Sequence, residues 1–535
     1  MLYGPETFVY ALNFAPLLML VALTGATTRM RPVSLALLAA VALAGGVNNW
    51  SRFTEAAAEA RAFTAGSERG RAQAAWLARP GELWPRSRGH VPLGLPGLPE
   101  LAKAYVEPGG AFSPSVGSFG MSVWTRDTNG NVLHSSDSVL LKVTRSSFLD
   151  AAIGIVSTTP DYVVRWDSPQ PGTWRMRLTP TGLAERLTIA VRSTGPAGGP
   201  IRSILNQAGR LTINERWQLT LGDGLSVERI GVESRGWIGR GVADAPQRAQ
   251  DPRGWLYALL HVDGPAELVI VDPQAPPTPS AAILAAGPMA LRSGIDLDLP
   301  EPRFAASLDA QVAQILQGLP GRNGWSGEAF GEPRTWERDA AVVFAALVRA
   351  GRADAARALI GDEPAASSAD VSTLRTNAAL RQARRQLALG DTVRVWAALQ
   401  QFWSNSLHPG LFTLGESILD EREQPWWEGV RGWTLSNQVT PHYWASAEMI
   451  LLQTAMLADV DRTQGREALI VGAGVKPEWL KAAISARGLV TDWGRVDWSW
   501  DGRAMHVTLE RDGPIRLGSA FPDNAPIVVQ RSPPG

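Results

Sequence analysis

The chain has 535 residues, with 51 basic and 51 acidic side chains, 45% apolar residues and no cysteine. That length divides into three or four structural units. The charge balance leaves no basic footprint for nucleic acid, and the missing cysteines exclude disulfides, thiolate metal sites and cysteine nucleophiles.

Residues 6–28 (ETFVYALNFAPLLMLVALTGATT) are almost wholly apolar, about the ~20 residues a membrane helix needs. Arg29 and Arg31 separate them from a second apolar run, Pro32–Val47. The two arginines predict a cytoplasmic turn within a transmembrane hairpin. Read from Met30, the same stretch has the basic start and small-residue end of a signal peptide. That second reading gives a product exported or anchored by one helix; both place residues 50–535 outside the cytoplasm, and the expectation is a chain anchored at the cytoplasmic membrane of a bacterium with the bilayer as a partner.

Residues 50–109 read as a polar juxtamembrane helix followed by a Pro/Gly linker. From about 110 to 303 the apolar period changes to two. TWRMRLTP, RLTIAVRS, RWQLTL, LSVERIGVES, WLYALLHV and AELVIVDP are strand candidates, and Asn129-Gly130 is a hairpin turn. Short strands with close turns predict a β-sandwich. DTNGN lacks the downstream ligands of a calcium loop, so it reads as that same turn.

Helices are predicted over 304–462. SLDAQVAQILQGL is given Ser307 as N-cap, and TWERDAAVVFAALVRAG is given Thr335 as N-cap and Gly351 as its stop. RADAARALI, VSTLRTNAALRQARRQLALG, VRVWAALQQFWSN and YWASAEMILLQTAML continue the three-and-four apolar spacing. Strands return over 463–535, with Asp501-Gly502 as a hairpin turn. The expected fold is therefore multidomain α+β: transmembrane hairpin (1–49), linker (50–109), β-sandwich (110–303), α/α-hairpin domain (304–462) and small C-terminal β domain (463–535).

Chemistry concentrates in the helical part, where 12 of the 21 tryptophans fall between Trp325 and Trp500. PWWEGVRGW sets Glu428 among Trp427 and Trp433. A carboxyl desolvated by aromatics has a raised pKa, which suits a proton donor. The plain alternative is a solvated loop glutamate paired with Arg431. At the start of the TWERD helix, Glu337 and Asp339 also suit the helix dipole. His442 precedes another helix, where it could meet a ligand hydroxyl or cap the helix. The six histidines lack metal-ligand spacing, and no dinucleotide or nucleophile-elbow motif is complete, so no metal and no cofactor is expected.

GEPRTWERDAAVVFAALVRAG followed about ninety residues later by PWWEGVRGWTLSNQ resembles the bacterial six-hairpin glycosidases of the glucoamylase-like clan. The resemblance covers roughly 320–460. It implies an α/α toroid acting on carbohydrate, with Glu428 as general acid. Arg338 and Asp339 would bond the sugar, with Trp336, Trp427, Trp433 and His442 around it. Two departures stand out. Gly429 replaces the usual second acid of the loop, and the sequence supplies only about half the helices of a complete toroid, so the toroid is partial. Inverting hydrolysis needs a second carboxylate about 6.5–9.5 Å away. Candidates are Glu328, Glu332, Glu416, Asp420, Glu421, Glu423 and Glu448, and the sequence favours none. The expected function is glycoside hydrolysis; the alternative is a non-catalytic glycan- or protein-binding relative.

Overall fold

The computed structural model describes residues 91–98, 102–115, 118–136, 145–148, 153–182, 186–193, 199–233, 244–252, 254–275, 291–318, 337–359, 376–404, 410–415, 441–462 and 467–532, together with Trp50 and Thr54. The chain divides into two units, Met1–Ala72 and Gln73–Gly535. The account below concerns the second.

Its first half is two antiparallel sheets. The eight-stranded sheet is built around Gly120–Arg126, Arg186–Arg192, Leu256–Val262 and Leu225–Val232, and the nine-stranded one around Trp217–Leu221, Ala266–Val271, Thr173–Pro180 and Tyr162–Gln170. Alternation decides which side chains go inward. Met121, Val123, Ile189 and Leu260 of the first sheet share one core with Val164, Met176, Leu219 and Ile270 of the second. Aromatic rings fill its centre: Phe112 stacks on Trp166 at 3.7 Å and 8°. The Trp166 indole donates to the Gly110 carbonyl (3.0 Å), so even this ring leaves no orphan donor.

The turns lie where the sequence set them. Gly130, at φ 81°, closes the hairpin between Gly120–Arg126 and Val132–Ser135, and Gly502, at φ 92°, closes that between Gly494–Trp500 and Met505–Leu509. Gly222-Asp223-Gly224 carries the chain from one sheet of the sandwich to the other.

Six α-helices are described: α1 (Pro302–Gly318), α2 (Glu337–Arg349), α3 (Ala353–Leu359), α4 (Thr376–Ala388), α5 (Thr392–Ser404) and α6 (Tyr443–Leu457). Ser307 is not the N-cap of α1. The helix starts at Pro302, whose fixed φ suits a first turn, and Ser307 lies inside it, fully buried. Five strands, including Ile484–Thr491 and the edge strand Ile527–Arg531, form a third sheet, and three more form a fourth. Helices and C-terminal sheets share a single core: Val343, Leu399 and Ile450 pack in the same cluster as Trp498, Val507 and Leu469.

Two expectations are corrected here. The described chain is mostly β-sheet, and six helices are too few for an α/α toroid, even as a partial one. Their packing differs as well. A toroid keeps its axis open, whereas α6 is buried along its length except at Leu451 and is packed by α1, α2 and α4. The helices form a small bundle around α6. Membrane anchoring and the cytoplasmic-membrane location are corrected too. Among the described residues no helix is long and apolar enough to cross a membrane. The longest, α1, has 17 residues, or about 25 Å at 1.5 Å per residue, and carries three glutamines. The expected transmembrane hairpin, 1–49, lies outside the described residues.

Candidate functional site

The helical layer holds a polar seam where α1 meets α6. On α1, Gln311, Gln314 and Gln317 recur every third residue along one face, and all three are fully buried. Each carries an amide into an otherwise apolar helix. Gln311 Nε2 donates to the Phe412 carbonyl (2.7 Å) and Gln314 Nε2 to the Leu411 carbonyl (2.6 Å). From α6, Gln453 Nε2 donates to the Phe304 carbonyl (2.9 Å).

The Leu411 and Phe412 carbonyls belong to a short tense loop. Leu411 packs into the sandwich core while Phe412 packs into the helical core. Consecutive side chains can part this way because Phe412 is left-handed, at φ 52°, a conformation costly for a residue with a Cβ. The glutamine bonds and the edge-to-face contact of Phe412 with Trp403 (6.0 Å) hold it there.

The ends of two sequence motifs meet at this seam. The Leu414 carbonyl accepts from the His442 N–H (2.8 Å), so the chain that leaves at 415 returns to the same point. The end of α1 lies against the start of α6: a Cβ placed on Gly318 would sit 1.8 Å from the Tyr443 hydroxyl. Buried Lys103 donates to the Gly318 carbonyl (2.8 Å), a cation at a helix C-terminus where the dipole favours it.

Eight buried polar atoms of the seam have no protein partner. Both polar atoms of the Gln317 side chain lack a partner, as do Oε1 of Gln311, Gln314 and Gln453 and the hydroxyls of Ser307, Thr413 and Ser446. Each such buried group costs about 1–3 kcal/mol. Native interiors keep few of them, and a cluster calls for an explanation.

His442 is placed plainly. It is buried, and its Nδ1 accepts from the Ala445 N–H (3.3 Å), capping α6. Arg338 and Asp339 belong to the first turn of α2, but their side chains, like Trp336, Trp427, Glu428 and Trp433 altogether, lie outside the described residues. So do Glu328, Glu332, Glu416, Asp420, Glu421 and Glu423. Glu448, the described candidate for a base, is buried beside Arg381, which donates to it through Nε, and lies 3.8 Å from Arg384. Trp444 Nε1 also donates to it (3.2 Å), and Arg381 stacks on the Trp444 ring at 4.7 Å. A carboxylate so occupied is a structural anchor of α4 on α6. The seven described tryptophans between 325 and 500 are also core residues, all 8% exposed or less. Among the described residues no group of side chains could hold a metal ion.

The glutamine row went unread in the sequence, although it was visible there as Gln at three-residue spacing in SLDAQVAQILQGL. No family model matches the chain, and no curated protein matches it.

Proposed function

We propose that this chain binds carbohydrate at the α1–α6 seam and does not hydrolyse it. The observation that carries the reading is the set of buried amides and hydroxyls on Gln311, Gln314, Gln317, Thr413 and Ser446 that have no protein partner. They are uncharged and include both donors and acceptors, which suits a neutral polyhydroxylated ligand rather than an ion. A bound hydroxyl supplies the missing bonds, so binding energy comes from groups that otherwise destabilise the fold. The resemblance of TWERD and PWWEGVRGW to sugar-site motifs adds support, since the second lies in the chain between Leu414 and His442, whose backbones are bonded at the seam. Glu448, the described candidate for a base, does not support hydrolysis, because its salt bridges leave it no freedom to activate water.

The test is a glycan array probed with the full chain, followed by calorimetric titration of each hit and a reducing-sugar assay on the same ligands. Binding without sugar release, weakened at least tenfold by Gln317→Leu and by Ser446→Ala, is expected. Sugar release abolished by Glu428→Gln would refute the non-catalytic reading and favour a hydrolase. The absence of any binding would refute the seam as a sugar site.

A further inference from the structure

The outer face of the nine-stranded sheet is a separate feature. In YVVRWDS and TWRMRLTP the inward residues are Val164, Trp166, Trp174, Met176 and Leu178. Alternation sends Arg165, Asp167, Arg175 and Arg177 outward. The register sets Arg165 directly opposite Arg177 and Asp167 directly opposite Arg175, while Glu267 faces Arg177 from the other neighbouring strand. Like charges directly opposite one another on a sheet are destabilising, so this arrangement has a cost.

Asp167 answers only part of that cost. It is 1% exposed, wrapped by three guanidinium groups that are 38%, 33% and 40% exposed. Arg175 takes it in a two-pronged grip, with Nη2 at 3.0 Å and Nε at 3.2 Å. Arg165 and Arg177 stand off at 3.7 Å. Glu267 binds Arg177 Nε at 3.0 Å. Three guanidinium forks carry about fifteen N–H donors, against about eight lone-pair sites on two carboxylates. Arg165 Nε is buried and makes no hydrogen bond, with Asp167 at 3.7 Å. Arg210 adds another cation to the same face, three strands along from Arg175 through Val269 and Thr220. Arg248 lies on the same face further along, opposite Leu205, so among the described strands this face of a chain with zero net charge carries more arginines than the two carboxylates Asp167 and Glu267.

We propose that this face is a second binding site, for an anionic polysaccharide whose carboxylate or sulfate groups sit between Arg165 and Arg177. Asp167 fixes the array by holding Arg175, and with Arg177 Nε taken by Glu267 and Arg165 Nε buried, the terminal guanidinium nitrogens of Arg165 and Arg177 remain for contact with an acidic group. The outward positions between them, such as Val163, Val269, Thr179 and Thr220, hold no aromatic ring. Nucleobases and neutral sugar rings would therefore find nothing to stack on. Recognition runs through charge, and the strands align the forks along an extended polymer. This site rests on the sandwich alone and stands or falls separately from the α1–α6 seam.

The test uses the full chain on immobilised heparin (sulfated) and polygalacturonate (carboxylated), with dextran as the neutral control and single-stranded oligonucleotide as competitor. Binding to one or both acidic polymers and not to dextran is expected, falling steeply as salt rises from 50 to 300 mM. Arg165→Gln combined with Arg177→Gln should weaken it at least tenfold with the melting temperature retained. If that pair folds poorly, Arg165→Lys with Arg177→Lys keeps the charge but removes the fork, and a loss of three- to tenfold is expected. Sulfated against carboxylated polymer tells which acid is preferred. The proposal is overturned if neither polymer is retained at 50 mM salt, if the folded variants bind unchanged, or if the oligonucleotide displaces the polymer at lower concentration than the polymer itself.

Discussion

Replacing Gln317 by methionine should stabilise the protein. The side chain is fully buried and neither its amide nitrogen nor its carbonyl oxygen has a partner. Each orphaned group costs about 1–3 kcal/mol, so taking the lower bound for both gives a gain of about 2 kcal/mol. Methionine has nearly the same volume and adapts to irregular space, so packing offsets little of it. For a cooperative unit spanning Gln73–Gly535 the unfolding entropy of about 2.1 cal/mol/K per residue makes 1 kcal/mol worth about 1 °C, so the shift expected is about 2 °C upward. Gln314→Met is the control. Its nitrogen bonds the Leu411 carbonyl, so its removal orphans that carbonyl and should cost about 1 kcal/mol. Differential scanning calorimetry of the two variants beside the native chain measures both signs. A Gln317→Met variant less stable than the parent by more than 1 kcal/mol would show the amide to be satisfied in solution. The case for the seam as a binding site would then collapse. A stabilised variant that has lost glycan binding would show that stability is given up there for function.

Further outcomes follow from the same geometry. Arg192 and Glu233 form a buried ion pair at 2.9 Å, 1% and 0% exposed, so Arg192→Met alone should cost about 3–5 kcal/mol. Adding Glu233→Leu should recover most of that in urea unfolding; a double variant as unstable as the single would contradict the burial argument. The Asp501 carboxyl is held down to about 2 by the Ala504 N–H first, then by His506 and the Arg503 N–H. A carboxylate lowered in the fold contributes stability above its unfolded value near 3.9, and that contribution disappears as pH falls through about 2. Asp501→Ala should therefore lower the urea midpoint at pH 7 and differ progressively less from the parent as pH falls from 4 toward 2; a constant difference across that range would exclude the linkage. Gly318→Ala would drive a methyl into the buried Tyr443 ring, with contacts of 1.8–2.6 Å, and should cost about 1–3 kcal/mol by thermal melting. An unchanged melting temperature would mean that the ends of α1 and α6 are not packed together.

The sequence by itself determined the local elements. Period-two runs such as TWRMRLTP and AELVIVDP are strands at Thr173–Pro180 and Ala266–Val271, because alternation alone sorts their side chains onto two faces. Asn129-Gly130 and Asp501-Gly502 are turns because only glycine takes positive φ freely. Tertiary structure decided what surrounds each element. Three-and-four spacing reports that a helix has an apolar side, not how many helices share a core, so a toroid and a bundle around α6 read alike in sequence. Trp396, Trp403 and Trp444 are as consistent with a sugar platform as with a core until burial places them in the core. Glu448 is a free carboxylate on paper and an anchored one once Arg381 and Arg384 arrive from α4, more than sixty residues away in sequence. Gln317 shows the limit most simply: a glutamine in a helix is unremarkable in sequence, and only tertiary burial seals off water and leaves its amide without a protein partner.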